Sequence, residues 1–308
     1  MTTTGDVSPT GSSLSFSFTH RMSLIEISLP TQKCKSTSGA NAYEYSTPAL
    51  GATFSLTPSS GGGATTIQPC PMGNGIFRYI VPTGTSGGAV SGAFNTADDK
   101  TIEYSKNNLS LSAGNYKRLN VTYDGANTAV VRALAVGDYY YSDGNIYPGN
   151  ASNPPSEGCI GVVYCVDNSF ITGNSTKRTE GGFIHGLVVA LKDASSSSDW
   201  YSVGSAVSNY GNTVAAPSGS SGWYLPNFDE LKYICWGNNS SQGTSGKDNL
   251  NNQFNKLSGK AEVLDGVCWS STEYYSGNRD ACYVSFNDAN ANWYKKNADN
   301  RVRSSLAF

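Results

Sequence analysis

Residues 222–231 of the chain are Gly222-Trp223-Tyr224-Leu225-Pro226-Asn227-Phe228-Asp229-Glu230-Leu231. Asn227 is followed three residues later by Glu230, which is the spacing of a capping box, where two side chains satisfy backbone N–H groups of a helix's first turn. Phe228, Leu231 and Ile234 then recur at helical spacing. The stretch therefore predicts a helix that begins after Asn227 and packs on a core through this apolar face.

Helical periods and buried strands surround this helix in the second half of the sequence. One apolar stripe spans 200–210 and stops at Gly211, and another spans 250–257 and stops at Gly259. Apolar runs at 159–166 and 187–191 predict strands buried on both faces. Further strands are predicted at 267–271, 281–286, 292–296 and 301–308. This half is therefore α+β, with helices in the middle and a closing antiparallel sheet.

In the first part of the chain, apolar residues recur only with the two-residue period of β-strands. Apolar and polar residues alternate over 14–19 and again over 25–29, with His20-Arg21 as a turn between them, which predicts two strands that form a hairpin. Strands are also predicted at 53–57, 76–81, 101–105 and 119–123, with Gly/Ser-rich loops at 59–64 and 84–91. Short strands with polar turns and no helical period indicate a β-sandwich.

The period changes at Asp124-Gly125-Ala126-Asn127, which is rich in turn-forming residues. A length of 308 residues suits two domains better than one. We therefore predict two separately folding domains, a β-sandwich at 1–126 and an α+β domain at 127–308.

Composition excludes several classes of partner. Charged residues make up 14% of the chain and the net charge is -2, so neither nucleic acid nor acidic lipid is expected as an electrostatic partner.

No stretch approaches the roughly 20 apolar residues of a transmembrane helix. The start, Met1-Thr2-Thr3-Thr4-Gly5, lacks a signal peptide's basic and apolar regions. We expect an exported protein whose export signal has been removed from this sequence.

Cysteine and histidine usage argues against a metal site. The chain has seven cysteines, no Cys-x-x-Cys and only two histidines, His20 and His185, so we predict no zinc site and no cofactor. The Asp/Asn-rich segment at 288–292 is interpreted as a polar hairpin turn and not as a calcium site. Cys268 and Cys282 flank a predicted hairpin and are the candidate disulfide pair.

No set of residues predicts catalysis. A Ser or Cys nucleophile needs a general base beside it, and the two histidines are interpreted as structural. Asp229 and Glu230 fall in the first turn of the predicted helix, where negative charge complements the helix dipole. We therefore predict no catalytic residue and a protein that is not an enzyme.

Three motifs in the second half resemble one bacterial surface family. Gly222–Leu231 resembles its "G-W-x-L-P-T-x-x-E-L" signature, Trp269-Ser270-Ser271-Thr272-Glu273 its "W-S-S-T-E" strand, and Arg301-Val302-Arg303-Ser304-Ser305-Leu306-Ala307-Phe308 its closing "V-R-x-V-x-x-F" strand. The family is the Fibrobacter-type major paralogous domain. The resemblance implies a C-type-lectin-like fold, and the absence of the lectins' proline motif implies that no tightly bound calcium is needed.

The first part is similar to the C-terminal domain of Bacteroides-type fimbrillins (Mfa-like pilins). The similarity rests on Leu14–Met22, Gly75–Pro82 and Ala113–Tyr116. It implies a transthyretin-like, Greek-key β-sandwich. The lipidated N-terminal cysteine and the preceding sandwich domain of those fimbrillins are not visible in this sequence.

Together the two resemblances imply a non-catalytic adhesin or a tip or accessory pilin at the cell surface, outer membrane or fimbrium. Its partners would be a glycan or a host or bacterial surface protein, together with other pilin subunits. Two alternatives stay open. One is a structural pilus or anchor subunit without a ligand of its own, and the other is an enzyme related to the formylglycine-generating proteins, in which Cys268 and Cys282 would be the reactive pair.

The loops between the closing strands are the predicted ligand-binding rim. Binding residues usually lie on loops that a rigid scaffold positions. Aromatic rings there would contact sugar C–H groups or a partner's side chains, and Asn and Arg would supply hydrogen bonds. The candidate residues are Tyr274, Tyr275, Asn278, Arg279, Asp288, Asn290, Asn292 and Trp293.

Overall fold

The computed structural model of the chain describes residues 22–36, 42–82, 86–151, 153–174, 184–238, 240–275 and 279–308. They group into two compact units. The first unit holds the described residues up to Gln32 together with Pro48–Asn127, and the second holds those of Lys33–Thr47 together with Thr128–Phe308. Residues 33–47, which the sequence analysis assigned to the first domain, therefore belong with the second unit. That the two units fold independently stays a prediction.

The first part of the chain forms strands, most of which build two packed sheets. Its strands are β1 (Met22–Ser28), β2 (Thr31–Lys35), β3 (Glu44–Pro48), β4 (Leu50–Thr57), β5 (Thr65–Thr66), β6 (Cys70–Pro71), β7 (Ile76–Pro82), β8 (Ala89–Asn95), β9 (Thr101–Lys106) and β10 (Tyr116–Asn120). The two sheets have the strand orders β10-β1-β7-β6 and β5-β4-β8-β9. Ile25 and Ile27 of β1 share one buried cluster with Phe54 and Val90 of the other sheet, so the core lies between the sheets.

Strand β1 is paired on both sides. It runs parallel to β10 and antiparallel to β7. The strand predicted at 14–19 and the turn at His20-Arg21 lie outside the described residues. The strand predicted at 119–123 is β10, which begins earlier, at Tyr116.

Within its described residues, the second unit combines one large sheet with four helices. A short 3-10 helix at Asp124–Asn127 precedes it. Its elements are β11 (Val130–Val131), β12 (Tyr139–Tyr141), β13 (Ile146–Tyr147), β14 (Cys159–Cys165), α1 (Asn168–Asn174), β15 (Leu187–Ser198), α2 (Val203–Thr213), α3 (Phe228–Trp236), α4 (Ser245–Asn255), β16 (Val267–Glu273), β17 (Asp280–Ser285), β18 (Ala291–Lys295) and β19 (Asn300–Ala307). The sheet order is β13-β12-β14-β15-β19-β16-β17-β18, and β11 joins β2 and β3 in a separate sheet. The chain is thus mainly β, with several sheets and a few helices.

The helix predicted from residues 222–231 is confirmed as α3. The side chain of Asn227 accepts from the Glu230 N–H at 2.9 Å, and the Glu230 carboxylate accepts from the Asn227 N–H at 2.9 Å. The helix ends at Gly237, whose φ of 78° is the left-handed conformation that glycine adopts freely. The predicted stripes at 200–210 and 250–257 correspond to α2 and α4.

The closing sheet differs from the prediction in one pairing. β16–β17 and β17–β18 are antiparallel as predicted, but β16 runs parallel to β19, with Cys268 opposite Arg301. A parallel neighbour requires a crossover connection, and here residues 296–299 return the chain from the end of β18 to the start of β19. β18 is one of the two edge strands of the sheet, and β13 is the other.

Candidate ligand-binding surface

Three of the predicted rim residues form one aromatic cluster, consisting of Tyr274, Tyr275 and Trp293. The rings of Tyr274 and Trp293 are stacked, with centroids 4.5 Å apart and an interplanar angle of 22°. The rings of Tyr274 and Tyr275 lie 4.4 Å apart at 59°. Tyr275 is 64% exposed and Trp293 44% exposed, so the cluster offers apolar ring surface to solvent. A hydrogen bond with Tyr275 raises the pKa of the Tyr274 hydroxyl, which therefore stays neutral at physiological pH.

The alternation of strand β18 places Trp293 on this face. Trp293 lies opposite Cys282, and the next residue, Tyr294, lies opposite Ala281. Successive side chains of a strand point to opposite faces, so Trp293 and Tyr294 project from the two sides of the sheet. Tyr294 is 55% exposed, and Ala281 beside it packs in the core under α2. The two neighbouring aromatic residues therefore serve different surfaces.

A partly buried ion pair joins the end of β16 to the residue that follows β18. Lys296 is buried, its Nζ lies 2.8 Å from Oε2 of Glu273, and it stands 4.5 Å from the centre of the Trp200 ring. The backbone N–H of Lys296 donates to the Arg279 carbonyl at 2.7 Å, and that of Tyr274 donates to the Asp280 carbonyl at 3.2 Å. The two ends of the loop that carries Tyr274 and Tyr275 are therefore attached to the sheet.

Backbone groups at the outer edge of β18 are partly satisfied within the chain. The N–H of Trp293 donates to Oδ1 of Asn292 at 2.9 Å, and the Lys295 carbonyl accepts from the Ala298 N–H at 3.0 Å. Exposed edge strands that are blunted in this way are poor templates for an added strand. A ligand at this surface would therefore bind through contacts with side chains and not by pairing with the backbone of β18.

The remaining predicted rim residues are not gathered at the aromatic cluster. Asp288 and Asn290 belong to the turn between β17 and β18, at the far end of the hairpin, where the Asn290 N–H donates to Asp288 at 3.3 Å. Hydrogen bonds from Ser285 and from the turn backbone lower the pKa of the Asp288 carboxyl. Arg279 lies at the near end, directly before β17. Asn278 lies outside the described residues.

Sequence reasoning missed a charged pair on α3, the helix that packs against β17. Nζ of Lys232 lies 2.6 Å from Oδ1 of Asp229 on α3 and 4.9 Å from the centre of the Phe228 ring. Burial raises the pKa of the Cys282 thiol, and the charges of Lys232 and Asp229 act on it in opposite directions. Helix α3, which carries this pair, packs against β17, the strand on which Cys282 lies opposite Trp293. The i,i+3 spacing of Asp229 and Lys232 on a predicted helix is the sequence pattern that could have predicted this ion pair.

The candidate disulfide between Cys268 and Cys282 is wrong. Cys268 lies opposite Val284, whereas Cys282 is two positions further along β17 and has Trp293 as its other neighbour. All seven cysteines are free thiols, and only Cys70 is exposed. Burial raises the pKa of Cys159 and of Cys235 to about 12 and that of Cys268 further. Thiols that are buried and protonated do not support the role of a reactive cysteine pair.

We expect Ellman's reagent to modify one thiol per native chain, because only Cys70 is exposed. The same reagent should modify all seven cysteines in guanidinium chloride without added reductant. A Cys70→Ser variant is the control and should give no fast reaction in the native state. A denatured count of five would instead reveal one disulfide.

The described residues contain no metal-binding cluster of three or more His, Cys, Asp or Glu side chains. His185 packs on Tyr43 with ring centroids 4.9 Å apart, and burial lowers its pKa. His20 lies outside the described residues. Within the part that the structure describes, no helix is both long and apolar enough to cross a membrane.

Comparison with known proteins relates this mainly-β chain to fimbrial proteins. No family model matches the chain. A curated protein of Bacteroides ovatus, named "Putative fimbrium tip subunit Fim1C", is 25% identical over 338 aligned positions, which cover 85% of this chain and 61% of that protein. The chain is a distant homologue of this fimbrial protein and spans less than two thirds of its length.

Among solved structures, the chain is similar to the crystal structure of a fimbrial protein from Bacteroides ovatus ATCC 8483. The TM-score is 0.40 and the sequence identity is 20%. The similarity covers 98% of this chain and 74% of that chain.

Proposed function

We propose that the chain is a subunit of a surface fimbrium that acts at the tip or as an accessory pilin, and that it is a non-catalytic adhesin. The observation that carries the adhesive role is the exposed, stacked aromatic cluster of Tyr274, Tyr275 and Trp293 on an edge of the second unit's sheet. The homology with a named tip subunit supports the fimbrial context. The bacterial cell surface is the location that follows from this context.

The chemistry of the aromatic cluster favours a glycan or a partner side chain as ligand. Ring faces contact apolar C–H groups of a sugar or the side chains of a protein. The Asp229–Lys232 pair on α3, which packs against β17, adds a hydrogen-bond acceptor and donors. These groups need no bound ion, so binding is proposed to be independent of calcium.

For the folds of the two units we propose a fimbrillin-type, transthyretin-like sandwich followed by a C-type-lectin-like domain. The sequence motifs that suggested the second fold occupy structural positions. Trp269 and Ser270 of the "W-S-S-T-E" strand are fully buried, and Glu230 caps α3 while accepting from the Tyr224 hydroxyl at 3.0 Å.

Truncating the aromatic cluster is expected to abolish attachment. A Tyr274→Ala/Trp293→Ala variant should reduce the adhesion of protein-coated beads to immobilised mucin glycans or extracellular-matrix proteins by about tenfold or more, since central aromatic residues dominate binding energies. Tyr294→Ala is the matched control, because Tyr294 is also exposed but projects from the other face. Adhesion should also persist when a calcium chelator is added.

Two outcomes would contradict this proposal. Equal adhesion of the wild type and the Tyr274→Ala/Trp293→Ala variant would place the binding surface elsewhere. Absence of adhesion by the wild type, with the chain nevertheless assembled in fimbriae, would favour the alternative of a structural subunit without a ligand.

A further inference from the structure

The first unit exposes its large apolar side chains on one sheet. Within its described residues these side chains are Met22, Met72, Ile80 and Tyr116. Met22 begins β1, Ile80 lies in β7 and Tyr116 begins β10, so these three belong to the sheet β10-β1-β7-β6, and Met72 directly follows its edge strand β6. An apolar patch concentrated on one sheet face is typical of a protein interaction site.

Strand register aligns three of these apolar residues in a row. Leu24 of β1 lies opposite Ile80 of β7 on one side and opposite Tyr116 of β10 on the other. Residues directly opposite one another share a face, and Ile25 and Ile27, at alternate positions to Leu24, lie in the core. The row therefore lies on the outer face, where Ile80 is 61% and Tyr116 60% exposed.

The next row on the same face carries charge. Glu26 lies opposite Arg78 and Arg118 and accepts from both, with Nε of Arg78 at 2.8 Å and Nε of Arg118 at 2.6 Å. Glu26 is buried, whereas the two arginine side chains are about half exposed. The two arginines lower the pKa of the Glu26 carboxyl, which stays ionised. The row therefore carries one net positive charge.

Each arginine uses only one edge of its guanidinium group in this row. Both ion pairs are made through Nε, and within the described residues the terminal Nη atoms of Arg78 and Arg118 make no hydrogen bond. A guanidinium group donates through five N–H bonds in a planar fork that matches a carboxylate. The face thus combines an apolar row with unused donors directly beside it.

We propose that this outer face, formed by Leu24, Ile80, Tyr116, Arg78, Glu26 and Arg118, docks a neighbouring fimbrial subunit that presents apolar side chains next to a carboxylate. The partner's apolar residues would cover the Ile80–Leu24–Tyr116 row, and its carboxylate would accept from Arg78 and Arg118. A second copy of this chain fits less well, because it would bring a second net-positive row, and interfaces favour opposite charges. The inference rests on the proposed fimbrial role and concerns a surface distinct from the aromatic cluster.

The experiment is photo-cross-linking in the bacterium that produces the protein. The photoreactive amino acid p-benzoylphenylalanine replaces Tyr116, and in a control strain it replaces Tyr201, an exposed tyrosine of the second unit. The position at Tyr116 should cross-link to another fimbrial protein at a segment that contains apolar residues and an Asp or Glu. The position at Tyr201 should not cross-link to that segment.

A charge variant tests the second half of the proposal. The triple variant Glu26→Gln/Arg78→Gln/Arg118→Gln removes the charges together and leaves no buried ion unpaired. It should retain the circular dichroism spectrum of the wild type and lower the cross-link yield at Tyr116 by about tenfold. An unchanged yield would overturn the role of the arginines.

Further outcomes separate this inference from the proposed function. If immunogold labelling finds the chain in fimbriae but Tyr116 cross-links to nothing, to residues 1–21 of its own chain or to a second copy, the inference fails and the fimbrial role stands. If the chain is absent from fimbriae, the proposed function fails first.

Discussion

Asp193→Ala is expected to destabilise the second unit by roughly 3–5 kcal/mol, since removing one partner of a buried ion pair leaves the other charge uncompensated. Asp193 lies in β15 and pairs with two arginines of β19. Its Oδ1 is 2.8 Å from Nε of Arg303, and its Oδ2 is 2.7 Å from Nη1 of Arg301. Arg303 is only 1% exposed, so water cannot take over the role of the lost carboxylate.

The rest of the Arg303 environment explains why this side chain cannot move away. Its Nη1 donates to the Ala190 carbonyl at 3.1 Å, and its Nη2 donates to the carbonyls of Glu262 and Val263 at 3.2 and 3.3 Å. The guanidinium group thereby joins two central strands to the segment between α4 and β16. Loss of Asp193 would leave these bonds in place around an unpaired charge.

Tryptophan fluorescence during urea denaturation is the suitable measurement. All five tryptophans, Trp200, Trp223, Trp236, Trp269 and Trp293, lie in the second unit, so the signal reports that unit alone. The double variant Asp193→Ala/Arg303→Met should recover part of the loss, because no buried charge remains. Glu157→Ala, which removes an exposed pair with Lys260, should change the free energy of unfolding by less than about 1 kcal/mol. A similar small loss for Asp193→Ala would show that the buried pair contributes little.

Local patterns were sufficient to predict α3 and part of the aromatic cluster. The capping box depends on residues three positions apart, and the alternation of β18 depends on immediate neighbours, so both are visible in the sequence. The Asp193–Arg303 pair, in contrast, depends on tertiary structure. Its members are far apart in the chain and meet only through the pairing of β15 with β19, in which they lie opposite one another. No local sequence pattern predicts such a pair.

Strand β8 shows why a local pattern can also mislead. The glycine-rich stretch at 84–91 predicted a loop, yet β8 begins at Ala89 and continues through Gly92. A Cβ atom at Gly92 would lie 2.0 Å from the Thr53 carbonyl oxygen and 2.6 Å from the Tyr104 hydroxyl. Glycine is required there by the close approach of neighbouring strands and not by a turn.

The disulfide error has the same origin. Cys268 and Cys282 do lie on neighbouring strands, as the sequence predicted, but the register of β16 against β17 sets them two positions apart. Register is fixed by which residues of both strands face the core, and this depends on the whole sheet. The sequence around either cysteine does not contain that information.

Trp269→Ala should destabilise the second unit by roughly 3–5 kcal/mol, the range for truncating a large buried aromatic side chain. Trp269 is fully buried in a cluster with Val203 and Val207 of α2, Ala281 of β17 and Val302 of β19. Its indole Nε1 also donates to the Ser198 carbonyl at 3.0 Å, at the end of β15. One side chain therefore holds a helix and three strands of the sheet together.

A Trp269→Phe variant separates packing from hydrogen bonding. It retains an aromatic ring but removes the hydrogen bond to the part-buried Ser198 carbonyl, which should cost roughly 0.5–1.5 kcal/mol in addition to the effect of the lost volume. Hydrogen exchange gives the local test, since amides of α2 should exchange faster in Trp269→Ala, while those of β1 and β7 in the first unit should keep wild-type rates. Equal stability of Trp269→Ala and the wild type would mean that α2 is held by contacts other than the Trp269 cluster, and faster exchange in β1 would mean that the two units do not unfold independently.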